Sequence, residues 1–275
     1  MQVGRILTTI CVLACCSQIV LAESPQQQES TIKLVNHVFD SGEKLTYDIS
    51  WSKILVAGVA IMEVQEGPIT NGRPTYRFVI STQSAGMVER IFPIRHFVES
   101  VSDANDLYSN SFNLREDLNG KLRKREITFD HKANTARFVL NYDTPEIYKV
   151  PERVHDALSV LYYVRATQDF RADKPIIVNV FDSGKTWSVE IYTLGKERIS
   201  TPVGEFDTIK VKTYPKYEGV FMNKGEIFIW LTDDERKIPV LMQSTIMIGS
   251  IVSTLIKMEK GKIRHDVKEQ TQTAQ

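Results

Sequence analysis

Apolar and polar positions alternate with a period of two along most of this chain. Leu45, Tyr47 and Ile49 stand against Thr46, Asp48 and Ser50, and Tyr76, Phe78 and Ile80 share one face of 73–82. That repeat is the mark of a strand with two different faces. Further strands are expected over 94–102, 107–116, 121–130, 135–142, 175–181, 186–194, 206–214, 225–231 and 239–258, all rich in Val, Ile, Thr, Tyr and Phe. Asn71-Gly72, Asn119-Gly120, Asp182-Ser-Gly184 and Asn223-Lys-Gly225 read as hairpin punctuation. Strands this numerous, with short connections, predict a mainly β chain: an antiparallel, strongly curved sheet or a barrel.

One segment changes period. Apolar residues at 154, 157, 158, 161 and 164 have the spacing of one helix face, and Pro151 and Glu152 suit a first turn. One long helix over about 154–166 is therefore expected, packed on the concave face of the sheet.

Two segments are apolar on both faces. In 54–64, Ile54, Val56, Ala60, Met62 and Val64 oppose Leu55, Ala57, Val59 and Ile61; in 246–256, Ile246, Ile248, Val252 and Ile256 oppose Met247, Ile251 and Leu255. A half-solvated antiparallel strand alternates. These two are either covered on both sides, or one side faces an apolar cavity or a membrane. The connection 85–97 is also unusual, since Met87, Val88, Ile91, Phe92 and Ile94 lie among its charges. Loops are normally polar, so this one packs onto the core as a short helical turn, lids a pocket, or meets a partner.

The three cysteines, Cys11, Cys15 and Cys16, all lie in the first apolar run, Ile6 to Ala22, behind Arg5. A basic start, a greasy run and a small-residue exit describe a secretory signal. Cleavage after Ala22 leaves a thiol-free chain in the periplasm or outside the cell. The alternative box Val12-Leu13-Ala14-Cys15 makes Cys15 a lipidated N-terminus, with peripheral attachment to a membrane. The expected organisation is a signal over 1–22, a flexible leader over 23–38, a single β-rich domain over 39–260 and a polar tail over 261–275.

Charge and motifs narrow the chemistry. Lys+Arg and Asp+Glu are both 34, which gives no reason to expect nucleic acid as a partner. The five histidines, His37, His96, His131, His155 and His265, lack ligand spacing, so no metal is expected. His155 beside Asp156 reads as a surface pair at a helix start. Asp233-Asp234-Glu235-Arg236 reads as a turn in which Asp side chains cap the backbone, rather than a calcium loop. Neither Gly-x-Ser-x-Gly nor a Gly-rich phosphate loop occurs. No catalytic residue and no cofactor is assigned.

Four stretches in this order carry a resemblance: Gly42-Glu-Lys-Leu-Thr-Tyr-Asp-Ile-Ser-Trp51 with Ala57-Gly58, Asp156-Ala-Leu-Ser-Val-Leu-Tyr-Tyr-Val-Arg165, Gly204-Glu-Phe-Asp-Thr-Ile-Lys-Val, and Gly225 through Val240. Over roughly 40–260 the chain resembles the bacterial exported proteins of domain-of-unknown-function family 3108. The resemblance implies an all-β envelope domain with a helix and brings no activity. Gly58 within an apolar strand implies a bend or a close approach by the helix. A buried Trp230 would need a partner for its indole N–H, and Pro239 suits a strand's first position.

The first expectation is a non-catalytic cell-envelope protein holding a lipid or other apolar ligand between sheet and helix. Val59, Ile61, Met87, Ile91, Phe92, Leu158, Leu161, Ile248 and Val252 would serve as lining or lid. The second is an assembly module with a solid core that docks on an envelope protein through 85–97. The third is an unrecognised hydrolase, with Asp156 and Glu226 as residues to test.

Overall fold

The structure, a computed structural model, describes residues 38–167, 170–217, 220–221, 226–245 and 249–261. The expected signal, Cys15, all of the leader but Val38, the Asn223 turn, Ile248 and nearly all of the tail lie outside them. Strands β1 (Lys44–Trp51), β2 (Leu55–Glu66) and β3 (Thr75–Ser84) are followed by helix α1 (Gly86–Ile91). Then come β4 (Ile94–Asp103), β5 (Ser109–Leu118), β6 (Lys121–Asp130), β7 (Thr135–Leu140) and β8 (Glu146–Lys149). Helix α2 (Ser159–Thr167) precedes β9 (Ile176–Asp182), β10 (Lys185–Thr201), β11 (Gly204–Tyr217) and β12 (Val220–Phe221). The chain closes with β13 (Ile227–Thr232), β14 (Pro239–Thr245) and β15 (Ser250–Glu259).

Among the described residues all fifteen strands belong to one sheet, ordered β8-β7-β6-β5-β4-β3-β2-β1-β15-β14-β13-β11-β10-β9, with β12 paired to β11. Every pairing between named strands is antiparallel. Three of the predicted turns close hairpins with φ above zero at both central residues: Asn71-Gly72, Asn119-Gly120 and Ser183-Gly184. That is the geometry whose twist matches the flanking strands. The expected strand 239–258 is two strands, because the chain reverses before Ser250 and Gly249 sits at φ 81°. A continuous apolar composition concealed that turn.

The sheet is not closed, since β8 and β9 do not pair. The seam between them is spanned instead by the segment leading into α2. Ser109 N donates to Val154 O at 3.2 Å, His155 N to Asn179 O at 2.9 Å, and Phe181 N to His155 O at 2.8 Å. Across the same seam the rings of Tyr148 and Phe181 lie 5.5 Å apart, and Arg125 is ion-paired with Asp182.

This corrects the helix. Val154 and His155 are committed to backbone bonds with β5 and β9, so they cannot join a helix, and the observed one has nine residues. Asp156 sets the new start: its Oδ1 accepts from Leu158 N at 2.7 Å and Ser159 N at 2.8 Å, a side-chain N-cap. The helix is buried on two sides. Tyr162 stacks on Phe78 at 3.7 Å with Phe39 edge-on at 5.2 Å, inside the main core. Val164 joins Ile176, Val178, Ile191, Ile209, Val211 and Leu231 in a second cluster. Val38, assigned to the leader, already belongs to the main core.

Gly58 makes a close approach, but to the neighbouring strand rather than the helix. A Cβ there would stand 2.4 Å from Gln83 O of β3. Trp230 finds its partner in Glu197, and β14 begins at Pro239.

Candidate functional site

The cluster richest in reactive side chains surrounds Asp156. Ser100 Oγ and Ser109 Oγ donate to its Oδ2 at 2.5 and 2.7 Å, opposite the two amides on Oδ1. Ser159 Oγ lies 2.7 Å from Ser109 Oγ and 3.4 Å from His155 Nδ1. Serine, histidine and aspartate thus meet, yet all are buried. His155 and Asp156 are therefore not the expected surface pair; the seam strand carries them inward. Burial pushes the His155 pKa down to about 3, with His131 nearby acting the same way. Burial raises that of Asp156 against the opposing pull of its hydrogen bonds from Ser100, Ser109 and the two amides. A neutral imidazole and hydroxyls already engaged as donors make this a structural knot that caps α2 and fastens it to β4 and β5.

Outside the knot is an open groove of about 290 Å³ lined by Arg73, Asp106, Tyr108, His131, Glu152 and Arg153. Arg73 is held by Asp103 at 2.5 Å and Asp106 at 2.8 Å. Among the described residues no three His, Cys, Asp or Glu side chains gather where a metal could be held. The 233–236 turn has the predicted chemistry: Asp234 Oδ1 accepts from Thr232 Oγ1 at 2.6 Å and Arg236 N at 3.0 Å.

The other end of the sheet is of a different character. In the meander β1 to β6, alternate connections emerge at the same end. The connections β1–β2, β3–β4 and β5–β6 therefore form one rim, and β2–β3, β4–β5 and β6–β7 the opposite one. On the first rim Trp51, Ile54, Leu55, Val56, Met87, Ile91, Phe92 and Leu122 are all exposed, with Ile54 at 83%, Ile91 at 72% and Leu122 at 79%. On the second, Ile69 is the one large apolar residue exposed among the described residues. The first rim is tied together by backbone. Ala85 N donates to Ala57 O at 3.0 Å, fixing α1 to β2, and Asn119 N donates to Pro93 O at 2.8 Å, fixing the β5–β6 turn to the end of the α1 loop. α1 buries none of its residues. The 85–97 connection does form a helical turn, but Met87, Ile91 and Phe92 are exposed on it while Val88 and Ile94 are half-buried.

The residues named as lining do not share a surface. Leu158 and Val252 are buried in the main core and Leu161 packs against it. Val59 and Ile61 lie half-buried on the face of β2 opposite Gly58, Ala60, Met62 and Val64. Met87, Ile91 and Phe92 stand on the exposed rim. The rim residues missed in the sequence were Trp51, Ile54, Leu55, Val56 and Leu122. Their signal was position: each lies within a few residues of a reversal, where solvated side chains are expected.

Fold and rim together define a mainly β protein of one curved antiparallel sheet with an embedded helix. The family described as "Protein of unknown function (DUF3108)" matches residues 46–256, and the chain belongs to that family. Among solved structures it is similar to a β-barrel-like protein of domain of unknown function DUF1849 from Brucella abortus, with 11% identity and a TM-score of 0.57 over 82% of this chain and 100% of that one. A protein from Parabacteroides distasonis, provisionally described as a lipoprotein, matches at 12% identity and a TM-score of 0.38 over 82% and 100%. An exported protein of YmcC-like fold from Bacteroides fragilis, also provisionally described, matches at 12% and 0.33 over 82% and 99%. The first likeness supports the fold alone. No curated protein matches the chain.

Proposed function

We propose that this chain is a non-catalytic protein of the cell envelope that docks through its apolar rim. The observation that carries the reading is the outward display of Met87, Ile91 and Phe92 beside Trp51, Ile54, Leu55 and Val56. Full burial of one such side chain is worth about 1.5–3 kcal/mol. A fold that leaves seven of them exposed on adjacent connections forgoes a large stabilisation, and a partner that covers the rim would recover it. The export reading of residues 1–22 supplies the compartment.

The reading with an apolar ligand between sheet and helix is less well supported. Around α2 that space is occupied by Phe39, Phe78 and Tyr162 and by the buried Arg165–Glu43 pair. A hydrolase reading is weaker still, because the serine hydroxyls near His155 are sealed.

The test is the variant Ile91→Asp/Phe92→Asp. Capture of envelope components by the protein should be lost while its melting temperature stays within about 2 °C, as for an exposed surface change. A fall of ten degrees or more would mean that these side chains serve the fold, and the docking reading would be abandoned.

A further inference from the structure

We infer that the partner of this rim is an anionic lipid surface, which the tips of three connections enter side by side; the inference rests on the docking reading above. Its geometric basis is the meander. Adjacent strands lie about 4.8 Å apart, so connections two strands apart project about 10 Å from one another. The tips at Ile54, at Ile91 with Phe92, and at Leu122 therefore form a row about 20 Å long on a rigid sheet. A row of separate apolar tips suits a deformable liquid surface, where each tip enters independently to a similar depth. A protein partner would instead require one complementary contour.

Composition points the same way. Exposed cations accompany the apolar tips: Lys53 beside Ile54, Arg90 beside Ile91, and Lys121 and Arg123 on either side of Leu122. The acidic groups among them are engaged. Glu89 is bound by Arg95 at 2.5 Å and by Ser84, and Asp117 Oδ1 accepts from Gly120 N at 2.7 Å. Apolar and aromatic tips with lysine and arginine at their flanks match a bilayer interface, acyl chains below and anionic headgroups above. Among the described residues no helix is long and apolar enough to cross a membrane. The opposite rim, built from the same meander, has among the described residues only Ile69 as an exposed large apolar side chain and serves as an internal control.

The experiment uses the protein as exported, with vesicles of phosphatidylethanolamine and phosphatidylglycerol or of phosphatidylcholine alone. In a Trp51→Phe background, which removes the native indole of the same rim, Ile54→Trp should add blue-shifted emission and about twofold quenching by brominated acyl chains on anionic vesicles, while Ile69→Trp should add neither. This local readout holds even if the N-terminus is itself anchored. In sedimentation, Ile54→Asp/Phe92→Asp should weaken binding about tenfold or more, with Ile69→Asp within about twofold of wild type. Lys53→Glu/Arg123→Glu should abolish the preference for anionic over neutral vesicles. Equal responses from Ile54→Trp and Ile69→Trp, or none from either, overturn the inference. If vesicles give no response but Ile91→Asp/Phe92→Asp still loses an envelope protein that wild type captures, the partner is a protein: the lipid inference fails and the docking reading stands. If neither vesicles nor envelope protein is bound, both fail.

Discussion

Arg165 on α2 grips Glu43, the residue before β1, through both carboxylate oxygens, at 2.8 and 3.1 Å, and neither side chain reaches solvent. Arg236 adds a third bond to the same carboxylate at 2.9 Å, and its carbonyl accepts from Arg165 in return. Three remote parts of the chain are thus locked by one buried ion pair. Removing one partner strands the other charge, so Glu43→Ala should cost about 3–5 kcal/mol, whereas Glu43→Leu/Arg165→Met should recover much of that loss. Urea denaturation of the two variants checks both; a double variant less stable than the single one would contradict the account.

Stability should fall with acid before the ordinary carboxylates titrate. His155 is held neutral, with its pKa lowered to about 3, while the unfolded chain takes up that proton near pH 6.5. Below that pH the unfolded state binds more protons, so its contribution is constant above about 6.5 and is lost toward 3, at up to about 1.4 kcal/mol per pH unit. Asp156 works in the opposite sense, since its pKa is raised and acid relieves the disfavoured charged form. His155→Phe should flatten the stability profile between about pH 5 and 6.5. An unchanged slope in that window would show that His155 is not the group responsible.

Asp156→Ala should destabilise by about 3 kcal/mol, because it removes an N-cap and leaves two buried hydroxyls and two amides seeking acceptors. Asp156→Asn, which keeps one acceptor oxygen, should cost less. Envelope binding per folded molecule should be unaffected by either. A loss of binding without a loss of stability would reopen a chemical role for the knot.

Gly58→Ala should cost about 1–3 kcal/mol, since its Cβ would meet Gln83 O at 2.4 Å and force β2 and β3 apart. The measurement is the thermal midpoint. Amide exchange in 57–60 and 82–85 should rise with it, and protection unchanged there would place the strain elsewhere.

Much of the fold was legible because alternation and turn chemistry are local. Each two-residue turn named by its Asn-Gly or Ser-Gly pair within the described residues has the backbone those residues favour. The helix start was misread because Val154 fits the helical spacing while the backbone of Val154 and His155 is claimed by β5 and β9, which lie outside that local pattern. The burial of His155 and Asp156 follows from the same bonds. The candidate rim was half legible: Met87, Ile91 and Phe92 stood out in a loop, whereas Ile54 and Leu122 were absorbed into strand patterns.

What the sequence determined by itself is the β character, most strand positions, the turn geometry and the family. Each rests on interactions within a few residues of one another. Tertiary structure alone decided that the 150–158 segment spans the seam, that Arg165 and Glu43 share one interior, and that three connections place their apolar tips on a single rim. Those outcomes depend on strand order, which is set by the competition of distant surfaces for burial, and no local pattern records which end of a strand its neighbours will share.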